Sequence, residues 1–480
     1  MRPFPGSPSE GGSEILDRTP PELAFVTQGR LHRAVPKEIS QATPSLRGQV
    51  RENLRSMLII LALAIAVRVA FMHFAGWDKG PLYFAEVERV ARSLLTQNVF
   101  GNPYALPTGP TAHLAPVYPW LVSVLFRVFG TGGLGTLSVH LFNAVCASVQ
   151  YALLVVLALA CGLSPRVGIL AGAVGALIPL HPLVEVHGWE ASFVAMCWTA
   201  VLVFTIDWWR RSAASPLHAA LIGFCWGLLL LAAPSMLLVF LAVMTLYFLV
   251  VPQSTLGRTA IAVAAAGLVL LPWTVRNEKA FHHLFFIRSN FGLELSLSNH
   301  DGASPLFVSE THAPRDNNFF LRRHPAANPF EAQLIQQMGE ANYHHERLEE
   351  AMQWIKTHPR AFLELTARRA WYFWFSSPWY RSLIQLALVA AALVGLLRLF
   401  RVAPLAAWLF AACWLMFPLV YYFIFFDTRY EYPLNQSLLF LASFALLDAL
   451  KLTNRVAPGE RERSPRTVLN IAAMSGVRLP

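Results

Sequence analysis

Apolar residues in this chain gather into long blocks separated by short polar breaks, from residue 57 almost to the C-terminus. A helix crossing the hydrocarbon of a bilayer needs about 20 mostly apolar residues. Blocks near that length fall at 57–75, 116–130, 136–162, 167–186, 190–209, 217–233, 235–251, 259–275, 381–400, 403–425 and 432–450. A membrane β-barrel would show short alternating segments instead. The pattern predicts an all-α polytopic membrane protein with ten to twelve transmembrane helices, many of them ending in Trp or Tyr at the headgroup level.

Charge orients these spans. Arg210, Arg211, Arg258, Arg398, Arg401, Lys451 and Arg455 fall on one side if the spans alternate from residue 190 onward, and the positive-inside rule makes that side the cytoplasm. The polar stretches 76–115 and 276–378 then belong outside. A basic N-terminal tail inside and eleven spans would leave the C-terminus outside, so one segment between 116 and 186 is expected to be miscounted, broken or re-entrant. The long block 136–162, with His140, Asn143 and Gln150, is the suspect.

The expected layout is a disordered cytoplasmic tail (1–55), an N-terminal transmembrane catalytic module (56–275), an outer insertion (276–378), C-terminal transmembrane helices (379–452) and a second cytoplasmic tail (453–480). The insertion reads as mixed loop and helix, helical on either side of Pro359. The first ~50 residues are too polar for a cleavable signal peptide and too poor in apolar surface to order themselves.

Composition narrows the class. Of 480 residues only 14% are charged and 55% are hydrophobic, against about 25% charged in soluble chains. The net charge of +10 is accounted for largely by cytoplasmic loops and tails, so no nucleic-acid partner is implied. Five cysteines lie inside apolar blocks without metal-like spacing and read as packing residues.

Candidate chemistry is densest in the first outer loop. In 83-YFAEVERVARSLL-95 the apolar positions recur at helical spacing, predicting an amphipathic helix in the interface, with Glu86 and Glu88 flanking its apolar arc. Surface pairing is the plain reading, Glu88 with Arg92 and Glu86 with Arg89, each contributing a few tenths of a kcal/mol. Further on come His113 and Tyr118 in a Pro-rich entry to the next block, and His181, Glu185, His187 and Glu190 at the outer mouth of two spans. No metal-binding motif appears among them, and no cofactor is implied, although a divalent metal is left open. Arg276 ends one span, while Asp427, Arg429 and Tyr430 lie in an outer hairpin. Arginines at a rim snorkel to bulk lipid, or hold a lipid-linked phosphate bidentately.

Taken in order, E-V-x-R-V-A-R-S-L, T-G-P-T-A-H-x-A-P-V-Y-P, W-E at a span start, P-W-T-V-R-N and R-Y-x-x-P resemble the bacterial family 39 type glycosyltransferases. These are relatives of protein O-mannosyltransferases and of the lipid A aminoarabinose transferase, with the GT-C membrane fold. The resemblance covers about residues 57–450. It implies a GT-C-like bundle, a polyprenyl-phosphate sugar donor, and transfer to a lipid, glycan or protein acceptor on the outer face of the cytoplasmic membrane. It also implies Glu86 as catalytic acid of the first loop, Glu190 as a second acid, and Arg429 with Arg276 on the donor phosphate. His113, Tyr118, Glu88 and Tyr430 are left as acceptor or donor contacts. This chain has Glu where many relatives carry Asp, and Arg429-Tyr430-Glu431 where they often show R-Y-R.

A carboxylate beside a low-dielectric interface is expected to have a raised pKa, suiting it to take the acceptor's proton. The rival reading is a multi-pass transporter or flippase, whose acids should sit near the bilayer midplane. A third, an inactive envelope scaffold, predicts that Glu86→Gln leaves function intact.

Overall fold

The computed structural model describes residues 45–76, 85–211, 215–251, 255–307, 319–375 and 379–453. Tyr83 and Phe84, most of the N-terminal tail and most of the C-terminal tail lie outside the described residues. The last tail residues that are described form a short helix, α1 (Leu46–Glu52), capped by the Ser45 hydroxyl.

The bundle then runs through α2 (Leu54–Ala75), α3 (Ala85–Gln97), α4 (Val117–Phe129), α5 (Gly133–Ala160), α6 (Pro165–Leu177), the short α7 (His181–Glu185) and α8 (Ala191–Arg210). After these come α9 (Pro216–Ala232), α10 (Leu237–Val250) and α11 (Leu256–Phe281). Five helices follow in the insertion: α12 (Phe291–Ser298), α13 (Phe319–Arg323), α14 (Pro329–Met338), α15 (Glu340–Thr357) and α16 (Pro359–Phe375). The chain returns through α17 (Trp379–Val402), α18 (Pro404–Met416) and α19 (Thr428–Ala449). No strand forms among the described residues; two isolated bridges, Gly101 with Pro110 and Leu306 with Phe426, are the extent of β pairing there.

Six of the described helical segments are long and apolar enough to cross a membrane, and this is a multi-pass membrane protein. The suspected block, 136–162, is one continuous helix, α5. Its polar residues are absorbed by partners: His140 meets the Val186 carbonyl, Asn143 donates to Tyr118 and to the Trp189 carbonyl, and Gln150 donates to Gln436.

The segment we propose as miscounted is 116–130 instead. α4 is 13 residues long and lies along α3. Tyr118, at its start, packs with Val87. At its end Arg92 covers the Phe126 ring at 5.7 Å and donates to the Thr131 carbonyl at 2.7 Å. On this proposal α4, with both ends against α3, lies along that helix instead of crossing the bilayer. Setting α4 aside leaves α2, α5, α6, α8, α9, α10, α11, α17, α18 and α19 among the described residues, an even number that would return the chain to the side where it began if each of them crosses.

Helix contact in the bundle relies on small residues, since lipid offers no hydrophobic drive to bring helices together. A Cβ at Gly223 of α9 would stand 2.0 Å from the Ala262 carbonyl oxygen of α11, so only glycine permits that approach. Within the bundle, Arg68 of α2 pairs with Glu185 of α7 at 2.7 Å, both side chains wholly buried. Tyr151 and Tyr432 donate to the same carboxylate at 2.6 and 2.8 Å.

Candidate active site

α3, the loop 98–116, the insertion and the start of α19 meet on one face of the bundle. α3 places Val87, Val90 and Ala91 in the core, which turns Glu86 toward the loop and the insertion. Arg89 fixes this rotation by donating to the carbonyls of Pro103 and Ala326, each at 3.1 Å. The expected Glu86–Arg89 pair is therefore not formed. Glu88 does pair with Arg92, at 2.9 and 2.7 Å.

The loop that carries His113 is held along its whole backbone. Thr111 N–H donates to Phe100 O at 3.1 Å, Ala112 N–H to Glu340 Oε1 at 2.7 Å, and His113 N–H to Thr111 Oγ1 at 3.0 Å. The three carbonyls are equally engaged: Arg276 donates to Thr111 O at 2.7 Å, Ser289 N–H to Ala112 O at 2.9 Å, and Arg288 to His113 O at 2.7 Å. Buried Glu340 opens α15 and also accepts from Thr111 Oγ1 and Ser289 Oγ, at 2.5 and 2.7 Å. A side chain mounted on so fully bonded a segment has a fixed position.

His113, 1% exposed, then sets its Nε2 2.9 Å from Glu86 Oε1. His324, just past the end of α13, brings its own Nε2 to 3.7 Å from the same oxygen. No described donor meets Oε2, and 29% of the Glu86 side chain stays exposed. Burial pushes the Glu86 carboxyl up, but His113 through its hydrogen bond, then the neighbouring His324 and Arg429, outweigh it and hold it well below the usual carboxylate range. This corrects the sequence expectation of a raised pKa, which counted desolvation and lacked these partners.

Arg429 enters from the first turn of α19, whose N-cap is Asp427. Its guanidinium lies over the Trp189 ring at 4.7 Å and the Tyr430 ring at 5.1 Å, with its Nε 3.4 Å from Asp427. Tyr430 stacks on Tyr421 at 4.6 Å. Glu190 occupies the N-cap position of α8 and interacts electrostatically with Arg429. It lines a narrow cleft together with Val87, Tyr118 and Arg288.

None of the known protein-family models matches this sequence, and no curated protein does. Among solved structures, the oligosaccharyltransferase of Archaeoglobus fulgidus, crystallised with Zn and sulfate, superposes with a TM-score of 0.51 at 14% identity, over 83% of this chain. The protein has the GT-C fold. It spans half the length of that oligosaccharyltransferase, so the likeness is to part of a larger chain. ArnT from Cupriavidus metallidurans, bound to undecaprenyl phosphate, aligns more loosely, with a TM-score of 0.37 and 13% identity over 81% of this chain and 77% of its own.

In this GT-C chain Glu86, His113, Arg429 and Tyr430 share one site, with Glu190 and Tyr118 at the adjoining cleft. Arg276 is committed elsewhere. Besides Thr111 O it donates to Phe100 O at 2.7 Å and packs over Trp273 at 4.8 Å, so it braces the loop instead of facing a phosphate beside Arg429. Sequence reasoning missed His324, Arg288 and Glu340. His324 lies in a polar stretch without periodicity, whereas Glu340 and His344 stand at i,i+4 on one helix face, a legible sign of a shared partner. That partner is Tyr104, whose hydroxyl lies 3.4 and 3.3 Å from them.

Glu86, His113 and His324 offer ligand atoms within 4.8 Å of one another, a spacing that invites a divalent ion. The ring environments do not fit one. His324 Nδ1 accepts from the Ala326 N–H at 3.1 Å, which leaves the proton of a neutral ring on Nε2, facing Glu86. His113 Nδ1 is buried without a hydrogen-bond partner, so its ring proton is best satisfied on Nε2, again toward Glu86. Both rings are thus set as donors to the carboxylate.

Proposed function

We propose that this protein is a membrane glycosyltransferase that moves a sugar from a polyprenyl-phosphate donor to a lipid, glycan or protein acceptor on the outer face of the cytoplasmic membrane. The observation that carries the reading is the Glu86 carboxylate of the first loop, held in a GT-C fold by His113 at 2.9 Å and His324 at 3.7 Å, within the electrostatic reach of Arg429 from the last bundle helix.

The acceptor's hydroxyl or amine forms its bond to the anomeric carbon as the bond from that carbon to the phosphate oxygen breaks, inverting the centre. The phosphate leaves with the electron pair, and Arg429 stabilises the charge that develops on it. The acceptor's proton passes to Glu86 Oε2, the oxygen that no described protein group engages. His113 on Oε1 orients the carboxylate, and Glu190 bears on Arg429 through its charge. A base with a lowered pKa suffices here because phosphate is a good leaving group and proton transfer is completed late.

The transporter reading draws on the Arg68–Glu185 pair, two charges inside the bundle. That carboxylate is saturated by Arg68, Tyr151 and Tyr432, which suits a structural role better than a moving proton or substrate.

The test is sugar transfer by the purified protein in nanodiscs with a panel of polyprenyl-phosphate sugars. Wild type should turn over at least one donor and Glu86→Gln should lose at least about a hundredfold, the lower range for a lost general base. Equal turnover by both would move the base to Glu190 or Glu88; no turnover from folded wild type with any donor would count against the enzyme reading.

A further inference from the structure

A second concavity lies in the insertion, separate from the Glu86 site. It has a volume of about 330 Å³ and is formed by the end of α12, the start of α13 and the middle of α15, at the lower end of the range that holds small ligands. Two fixed aromatic surfaces line it. Trp354 is held in plane by its indole N–H, which donates to Asp301 Oδ1 at 2.8 Å. His300 and Phe319 stack with ring centroids 3.5 Å apart.

The polar wall is charged but closed on itself. Arg323 donates to Glu350 at 2.8 Å and stands 3.4 Å from Glu331. Glu350 accepts also from Arg347. Asp301 adds a negative charge, and Arg323 is already paired, so an anionic headgroup or free phosphate needs a cation that this lining does not offer. A neutral ligand with several hydroxyls does not. Planar carboxylates with lone pairs remaining suit vicinal hydroxyls, and rigid aromatic faces suit the apolar face of a pyranose.

The cavity adjoins the Glu86 site. Arg323 lines it, and the next residue, His324, faces Glu86 on the other side. We propose that this cavity binds one or two sugar units of a glycan-bearing acceptor, which fixes the acceptor class as carbohydrate; this assignment of the bound sugar to the acceptor rests on the glycosyltransferase reading above.

Binding is measured without turnover, by calorimetric titration of the full-length protein in nanodiscs, free of maltoside detergent. The probes are methyl glycosides of glucose, mannose and N-acetylglucosamine, with cellobiose and chitobiose. At least one should bind; Trp354→Ala should weaken it about tenfold or more, while Trp354→Phe, which keeps a ring, should retain part of it. Glu86→Gln should bind like wild type. No binding of any probe by folded wild type, or binding indifferent to Trp354→Ala, overturns the proposal. Binding lost equally in Glu86→Gln also overturns it, since the sugar would then occupy the other site. Because no transfer is read, a failed transfer assay beside intact, Trp354-dependent binding would sink the enzyme reading and leave a carbohydrate site.

Discussion

Glu86 and Glu88 sit two residues apart on one short helix, and their neighbours give them opposite fates. Glu88 is spent on Arg92, as the i,i+4 spacing makes legible. Glu86 turns to His113 and His324 because Arg89, its apparent partner, is drawn to carbonyls 14 and 237 positions away; no local rule contains that. Its lowered pKa keeps the carboxylate ionised above the ordinary value of about 4.3, and the charge is lost only as pH falls further. The acid limb of kcat/KM should therefore lie below about pH 4.5 in the wild type. In His113→Ala, which removes the largest influence lowering that pKa, the limb should move upward. A pH–rate profile of both forms checks this, and an identical limb in the two would deny the coupling.

Helices were the most legible level. Each of the eleven apolar blocks contains a helix, because a run of apolar side chains has few alternatives when its backbone must satisfy itself. α4 shows where composition fails: an apolar 13-residue helix reads alike whether it crosses the hydrocarbon or lies along α3, and the contacts of Arg92 at its far end decide it. The α2–α7 junction was legible only as a loose His and Glu cluster, since Arg68 lies far from it in sequence. Its buried pair makes a sharp prediction. Glu185→Gln leaves a guanidinium unpaired in a dry interior and should cost roughly 3–5 kcal/mol, whereas the double variant Arg68→Met, Glu185→Leu should recover most of that. Thermal unfolding in nanodiscs compares the three; equal destabilisation by the single and double changes would show that the charges themselves are not at issue.

At the scale of the molecule, the Glu86 site exists because distant segments converge: the first loop, the insertion and the start of the last bundle helix. Sequence motifs named several members but not their meeting, and they misassigned Arg276, whose rim position looks the same whether it faces lipid phosphate or backbone carbonyls. Topology is the testable consequence of counting α4 out. Reporters inserted at Gly132, after α4, and at Gly302, in the insertion, should fall on the same side of the membrane, with the two chain termini together on the other. The two chain termini on opposite sides, with Gly132 on the side of the N-terminus, would make α4 a true span.

Arg276 repays a last look as a matter of altitude. It lies twenty residues beyond the start of α11, about 30 Å along an upright helix and thus one full hydrocarbon thickness. If α11 enters the hydrocarbon at its first residue, the loop Arg276 grips is tethered where lipid headgroups end and acyl chains begin. On the function proposed above, a carboxylate fastened to that loop through His113 meets the donor's phosphate in the layer that phosphate already occupies. The isoprenoid tail never has to leave the bilayer, which avoids a cost of about 0.8 kcal/mol for every methylene drawn into water.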